Sequence, residues 1–215
     1  MMRTFSSMFK NKEIRNKILF TLAMLLIYRV GSAIPVPGVD ATKLASQISD
    51  NSVLSMMNLL GGGALERLSV FAMGVTPYIT ASIIIQLLSM DVIPALTEMT
   101  KSGQTGRMKM EKITRYLGVV LSFVQAYSLV YGFDKQYSVL ANSNLSGYLY
   151  TATVLTAGTM FLIWLGDRIS MKGIGNGLSI IIFAGIVSNM PSQFVQVWNV
   201  LAGGTTQGEL FNGIL

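Results

Sequence analysis

Residues 68–90 have the sequence LSVFAMGVTPYITASIIIQLLSM, in which no side chain is charged. A helix that crosses the apolar core of a bilayer needs about 20 predominantly apolar residues in a row. Three further charge-free stretches, over 116–133, 136–166 and 173–208, have comparable or greater length. A fifth apolar stretch, over 18–36, is interrupted only by a single arginine. The sequence therefore predicts an all-α polytopic membrane protein.

The composition agrees with this class. Hydrophobic residues make up 51% of the 215 residues and charged residues only 12%, whereas a soluble domain is about 25% charged. The mean hydropathy is +0.54. Histidine and cysteine are absent, which excludes disulfides, imidazole or thiolate metal ligands and catalysis by either residue. The apolar stretches also lack Asp, Glu and Lys, so we predict no enzymatic activity, no cofactor and no metal site.

The charge distribution predicts which side each loop occupies. Twelve basic residues lie before the first span or in the loops on the same side as the N-terminus, whereas Lys43, Arg67 and Lys135 lie on the opposite side. Because lysine and arginine accumulate in cytoplasmic loops, the N-terminus is predicted to be cytoplasmic. A nucleic-acid-binding protein would gather its basic residues on one folded face, so no nucleic-acid specificity is predicted. A cleaved signal peptide is the alternative for the first stretch, but its long basic leader argues against cleavage.

Five transmembrane helices follow from these stretches. They are expected at about 18–36, 70–90, 116–133, 147–165 and 174–190. Because an odd number of spans puts the two ends on opposite sides, a second copy would insert inverted. The chain is therefore expected to be one half of an inverted-repeat protein with ten helices.

The remaining segments complete the predicted organisation. Residues 1–17 are expected to form a cytoplasmic amphipathic N-terminus, before the membrane domain of residues 18–190. Residues 91–114 are predicted to be a hydrophilic cytoplasmic loop. Residues 37–67 contain an apolar, glycine-broken part that predicts a short re-entrant segment. Residues 191–215 are expected to be an external segment that leads to an unfinished sixth helix.

The second span carries an informative pattern. Pro77 removes a backbone hydrogen bond and predicts a bend in that helix. Val75 and Ile79 lie four residues apart on one helical face, which Ser82 and Gln86 continue. Ordinary helix packing explains this face, and so does a hydrophobic constriction that gates a polar pathway. In the fifth span, Asn176 is predicted to cap the helix that follows it.

Three motifs, in this order along the chain, resemble the SecY family of protein-conducting channels. They are RVG with IPVPG over 29–38, GGAL with FAMGVTPYITASIIIQLL over 62–88, and GIGNGLSIIIFAGIV over 173–187. The resemblance covers about residues 15–191. It implies the N-terminal half of a ten-helix channel, with helices one to five and a plug over about 55–68.

The same resemblance implies roles for particular residues. The aliphatic pore ring of the family corresponds to Val75, Ile79, Leu178 and Ile182, where Val75 and Leu178 replace a frequent isoleucine. The polar residues of the lateral gate correspond to Thr80 and Gln86. The matched plug residues are Leu59, Leu60, Gly61, Gly62, Gly63, Ala64, Leu65 and Arg67.

The implied function is a pore-forming subunit of a protein translocation channel in the bacterial cytoplasmic membrane. It would pass unfolded secretory polypeptides and release hydrophobic segments laterally into the bilayer. The implied partners are the small membrane subunits SecE and SecG, the SecA motor or a ribosome, signal sequences and nascent polypeptides. The alternative is half of a small-molecule secondary transporter with inverted repeats, which the lack of carboxylates within the spans disfavours.

Overall fold

The computed structural model describes residues 12–40, 58, 62–90, 92–140 and 144–202. These residues form six helices: α1 (Lys12–Ala33), α2 (Thr76–Leu88), α3 (Pro94–Lys101), α4 (Gly103–Tyr137), α5 (Leu145–Lys172) and α6 (Gly177–Ala202). Within the described ranges the only extended pairings are two isolated antiparallel bridges, Pro35 with Ser69 and Val39 with Leu140. The described part of the chain is therefore all-α, as predicted.

Three of these helices, α1, α4 and α5, are long and apolar enough to cross a membrane. Two shorter apolar helices are α2 and the first part of α6, Gly177–Ser188. On α1 most side chains are exposed, including Leu19, Leu22 and Leu26. An exposed surface of large aliphatic side chains is typical of a helix that faces lipid or another protein layer.

The centre of the described fold is the pair α4 and α5. Helix α4 packs against α2, α3 and α5, while α5 also packs against α1 and α6. Small residues are buried at intervals of four on α4, at Gly118, Ser122 and Ala126. Gly118 faces Tyr78 and Ala81 of α2. A stripe of small side chains lets neighbouring helices approach closely within a membrane.

Buried side chains form two cores, and one partly buried residue packs against both. The first core includes Leu65, Leu68, Val130, Phe133, Tyr148 and Leu155. The second core consists of Tyr28, Phe71, Val75, Leu162, Leu165, Ile169 and Ile181. Val70, in the segment before α2, packs against both cores. The segment that leads into α2 is therefore a structural junction of the molecule.

Helix α2 begins later than the span predicted at 70–90. Residues 70–75 are mostly turns, and the helix starts at Thr76 with Pro77 in its first turn. Proline is compatible with this position because the first N–H groups of a helix have no partner within it. The predicted bend inside a longer helix is therefore wrong, since Pro77 marks the start of the helix.

The segment 91–114, predicted to be a loop, is largely helical where it is described. Helix α3 and the beginning of α4 form a hairpin that turns at Gly103, whose φ is +71°. A Cβ on Gly106 would overlap the backbone carbonyl of Met99, so this close packing requires glycine. The hydrophilic composition of the segment reflects exposed helical surface rather than an irregular loop.

Several helix ends differ from the predicted spans. Helix α1 ends at Ala33 because residues next to a proline, here Pro35, leave the helical region. Helices α4 and α5 extend beyond their charge-free stretches, because a helix continues through charged turns until its backbone is capped. Helix α6 stays within its charge-free stretch but continues past the predicted end at residue 190 to Ala202. Residues 1–11 and 203–215 lie outside the described residues. They hold most of the predicted amphipathic N-terminus and the start of the predicted sixth helix.

Candidate functional site

A cavity of about 600 Å³ lies between α2, α4, α6 and the segment that precedes α2. Its lining is mainly aliphatic or small, with the Gln125 amide and the Thr76 hydroxyl as the polar groups on its wall. The other lining residues are Leu65, Ala72, Met73, Gly74, Val75, Ile79, Leu129 and Ile182. Such a lining offers no charged group to a molecule inside it.

Three of the four residues matched to the pore ring line this cavity. Val75 lies just before α2 and is 5% exposed, while Ile79 in the first turn of α2 is 38% exposed. Ile182 reaches the cavity from α6. Leu178 is not among the lining residues and instead packs against α5 at Gly166, where a Cβ would lie 2.7 Å from its Cδ2. The structure therefore brings Val75, Ile79 and Ile182 together at the cavity, whereas Leu178 packs against α5.

The start of α6 is fixed by side-chain caps. The Oδ1 atom of Asn176 accepts hydrogen bonds from the backbone N–H groups of Leu178 at 3.1 Å and Ser179 at 3.4 Å. The Ser170 hydroxyl of α5 accepts a hydrogen bond from the Gly177 N–H at 2.8 Å. The predicted capping role of Asn176 is confirmed. These bonds fix the position of the helix that carries Leu178 and Ile182.

The segment matched to the plug, called the plug segment below, is described at residue 58 and over 62–68, and residues 62–68 consist of turns. Gly62 and Gly63 have φ angles of +69° and +79°, which glycine adopts without strain. Asn58 closes the segment: its Oδ1 accepts from the Glu66 N–H at 3.0 Å and its Nδ2 donates to Glu66 Oε2 at 3.2 Å. The Asn58 carbonyl also accepts from the Gly63 N–H at 2.9 Å. Residues 62–68 of the predicted re-entrant segment and its end are therefore a hydrogen-bonded series of turns.

The plug segment is seated on the first core. Ala64 and Leu65 are 0% and 2% exposed, and Arg67 is exposed. Where the segment ends, the Val36 N–H donates to the Leu68 carbonyl at 3.1 Å. Leu65 also lines the cavity, so the plug forms part of its wall. The matched plug residues Leu59, Leu60 and Gly61 lie outside the described residues.

The two residues matched to the lateral gate do not meet. They are six positions apart on α2, which is a rotation of about 240° around the helix. The Thr80 hydroxyl donates to the Thr76 carbonyl at 3.1 Å. The exposed Gln86 donates from Nε2 to the Ser82 hydroxyl at 3.0 Å. Each is bonded within α2.

Two polar contacts hold α4 against α5. Near the start of α4, Arg115 Nη2 lies 2.6 Å from Asp167 Oδ2 of α5 and 2.9 Å from Glu111 Oε1. Near its end, the Tyr148 hydroxyl of α5 donates to Asp134 Oδ2 at 2.6 Å. The wall of the cavity on the α4 side is thus braced at both ends.

Sequence reasoning missed several residues of this site. Gln125 was detectable as the single amide of the predicted span 116–133, but no role was predicted for it. The pairing of Asn58 with Glu66 leaves no periodic pattern in the sequence, since both residues lie in turns. No group of three or more Asp, Glu, His or Cys that could hold a metal occurs among the residues for which the structure gives positions.

The fold and the site together define a class: an all-α membrane protein with an apolar cavity bounded by a segment of turns. The SecY family model matches residues 69–215. The protein translocase subunit SecY of Bacillus subtilis (strain 168) is 52% identical over 200 residues, which are 92% of this chain and 46% of that protein. The corresponding subunit of Staphylococcus aureus (strain NCTC 8325 / PS 47) is 48% identical over 198 residues, 91% and 46% of the two chains. This chain belongs to the SecY family, and it spans about half the length of these curated relatives.

Two solved structures share the fold of this chain. One is described as "Sec61 in the Canine ribosome-channel complex from the endoplasmic reticulum" and another as "The structure of a protein conducting channel". Each has a TM-score of 0.60 and 18% identity, and covers 82% of this chain and 37% of the solved chain. At this identity the likeness concerns the fold. The relatives are translocase subunits, which gives no support to the transporter alternative or to an enzyme.

Proposed function

We propose that this chain forms the N-terminal half of the pore in a protein translocation channel. The channel passes unfolded secretory polypeptides across a membrane and releases hydrophobic segments laterally into it. The observation that carries the proposal is the cavity where Val75, Ile79 and Ile182 meet the plug residue Leu65. The second half of the full-length subunit supplies the remaining members of the ring.

An aliphatic constriction suits this task physically. A channel for unfolded chains has to accept every side chain, so specific acid, base or hydrogen-bonding groups at its waist would be a hindrance. A narrow apolar ring expels water when it is empty and blocks ions by dewetting. Flexible aliphatic side chains such as Ile79 and Ile182 can also rearrange around a passing polypeptide. In this arrangement Leu178 supports the ring from behind through its contact with Gly166.

The plug segment is built to move as a unit. Its hydrogen bonds to Asn58 remain within the segment, so they are retained when it is displaced. Displacement therefore leaves few backbone groups without partners. It does require Leu65 and Leu68 to leave the first core, which favours the closed position in the absence of a substrate.

Five membrane spans complete the proposed topology. Helices α1, α4 and α5 supply three, while the shorter α2 and the first part of α6 supply the other two. Thr80 and Gln86 on α2 are then placed along the proposed lateral gate. The excess of basic residues on one side supports a cytoplasmic N-terminus in the bacterial cytoplasmic membrane. An inverted second half of the full-length subunit gives ten helices.

Partners supply the driving force and complete the channel. The chain holds no nucleotide-binding motif, so a SecA-type motor or a translating ribosome drives the polypeptide. One solved structure with this fold is described as part of a ribosome-channel complex. SecE and SecG are the proposed small membrane subunits, and signal sequences enter by partitioning between the gate helices and lipid.

A matched pair of substitutions in the full-length channel tests this function. Ile79→Ser replaces a residue that lines the cavity, while Ile83→Ser makes the same change one turn further along α2, at a residue that does not line it. Both isoleucines are exposed in the isolated half, at 38% and 51%. We expect Ile79→Ser to increase the resting ion conductance and the export of a reporter with a defective signal sequence.

The Ile83→Ser channel is expected to match the parent in both measurements. Equal conductance and equal reporter export in all three channels would contradict a pore role for Ile79. A failure of all three to export any polypeptide, with normal membrane insertion, would contradict the proposed function as a whole.

A further inference from the structure

Three separate parts of the chain meet at the side chain of Arg29. Its Nη1 atom donates to the Gly62 carbonyl at 3.1 Å and to the Ser188 hydroxyl oxygen at 3.1 Å. Arg29 belongs to α1, Gly62 to the plug segment and Ser188 to α6. The simple role expected for an arginine near a helix end in a membrane is an interfacial anchor. The structure gives this arginine two protein partners that lie far from it in sequence.

Two glycines allow the same three parts to come close together. A Cβ on Gly62 would lie 3.1 Å from the Cα of Gly185 in α6 and 3.1 Å from the Tyr28 hydroxyl oxygen of α1. The Ser188 hydroxyl also donates to the Gly185 carbonyl at 2.9 Å. Arg29, Ser188 and Gly185 therefore form a connected set of contacts around Gly62 of the plug segment.

We propose that Arg29 and Ser188 form a latch that holds the plug segment closed against α6. Arg29 is then a positioning residue, which acts on the plug and does not contact the translocated polypeptide. This inference rests on the function proposed above. It extends that function by assigning the contact that couples the plug to the widening of the pore.

The coupling follows from the position of the latch on α6. Ile182 of the proposed ring and Ser188 of the latch lie six residues apart on the same helix. When α6 moves away from α1, Ser188 leaves Arg29 and Gly185 leaves Gly62 together. Both acceptors of the Arg29 hydrogen bonds are uncharged, so water can replace them without separating an ion pair. Widening of the ring and release of the plug thus become one movement.

Thiol labelling of the full-length channel tests the latch directly. This chain contains no cysteine, so a single cysteine can be introduced into a full-length channel that is otherwise cysteine-free. Ala64→Cys reports on the position of the plug, because Ala64 is fully buried when the plug is closed. The labelling rate by a small water-soluble thiol reagent follows the population of displaced plug when reclosure is fast. In the resting channel we expect Arg29→Gln to raise this rate about tenfold, since it removes hydrogen bonds from a charged donor. Ser188→Ala removes one acceptor and is expected to raise it about threefold.

Matched controls separate a latch from general loosening of the structure. Lys135→Gln removes a positive charge elsewhere, and Ser128→Ala removes an exposed serine that bonds only back to its own helix at Val124. Both are expected to label at the parental rate. A second reporter, Ile169→Cys in the other core, is also fully buried, and its labelling is expected to stay unchanged in the Arg29→Gln channel.

The outcomes either support or overturn the proposal. Faster labelling at position 64 alone supports the latch, whereas equal acceleration at positions 64 and 169 shows general destabilisation and overturns it. If the Arg29→Gln channel is not inserted, Ser188→Ala decides, and a parental rate in that variant overturns the latch. Faster labelling at position 64 in a channel that exports no polypeptide would retain the latch and contradict the proposed function.

Discussion

Helices α4 and α5 are held together differently at their two ends. At one end, Arg115 and Asp167 form an ion pair whose side chains remain 42% and 24% exposed. At the other end, Asp134 is only 5% exposed and accepts hydrogen bonds from the Tyr148 hydroxyl at 2.6 Å and from the Leu140 N–H at 3.0 Å. We call these the Arg115 end and the Asp134 end.

The two ends differ in the free energy that it costs to separate them. A partly exposed ion pair contributes little to stability, because water and salt compensate when it separates. A buried carboxylate that satisfies a turn and a neighbouring helix is costly to disturb, because its donors would lose their partner. The plug residues Leu65 and Leu68 pack on the core of the Asp134 end. The segment proposed to move is therefore seated against the more rigid end.

The largest expected effect lies between the two ends, where Val70 packs against both cores. A Cβ on Gly158 of α5 would overlap the Val70 carbonyl, so Gly158→Ala forces α5 away from this junction. We expect a loss of about 3 kcal/mol in the free energy of unfolding, measured by denaturant titration in detergent. The control is Gly132→Ala on α4, where the added Cβ meets nothing within 4 Å. That variant is expected to gain about 0.5–1 kcal/mol, and equal losses in both would contradict the close packing at Gly158.

The second prediction breaks the Asp134 end. Asp134→Ala leaves the Tyr148 hydroxyl and the Leu140 N–H without this acceptor in a buried site, and is expected to cost about 2–3 kcal/mol. Tyr148→Phe removes the hydroxyl donor and is expected to cost about 1–2 kcal/mol. Thermal unfolding of the purified full-length protein measures both. A negligible effect of Asp134→Ala would show that this end is not the rigid one.

The third prediction concerns the Arg115 end. Arg115→Gln is expected to cost about 1 kcal/mol, because the pair is only partly buried. The cost should shrink at high salt. Combined with Asp167→Asn in a double-mutant cycle, the two changes should be less than additive. A cost above that of Asp134→Ala, or no dependence on salt, would reverse the comparison between the ends.

The smallest expected effect belongs to the pair on α1. Lys17 Nζ lies 3.2 Å from Glu13 Oε1, four residues earlier, and both side chains are largely exposed. Lys17→Gln is expected to lower the free energy of unfolding by about 0.3–0.5 kcal/mol. Thermal unfolding measures this loss, which serves as the reference for an exposed ion pair when the loss in Arg115→Gln is interpreted. A loss as large as that of Arg115→Gln would mean that exposure does not explain the weakness of the Arg115 pair.

Much of the fold could be predicted from charge-free length alone. The long apolar helices α1, α4 and α5 overlap predicted spans, because a membrane imposes a minimum apolar length. The start of α2 could not be located in this way, since a charge-free stretch does not distinguish turns from helix. Pro77 carried that information, because proline is favoured in the first turn of a helix.

Some features of the candidate site could also be predicted from the sequence, whereas others depend on contacts between distant residues. The spacing of Val75 and Ile79 on one helical face was visible in the sequence, and both line the cavity. Leu178 was matched by motif, but the close contact with Gly166 that turns it away from the cavity depends on the packing of α5 against α6. The contacts of Arg29 with Gly62 and Ser188 join residues 33 and 159 positions apart, so no local pattern could reveal them.

The central claim is that a translocating polypeptide passes the cavity where α2 and α6 face each other. Site-specific photo-crosslinking in the full-length channel, with a secretory polypeptide stalled during export, tests it most directly. We expect crosslinks from probes at Ile79 and Ile182, and none from a probe at Trp164, an exposed residue of α5 outside the cavity. Crosslinks from Trp164 without crosslinks from Ile79 and Ile182 would contradict the account.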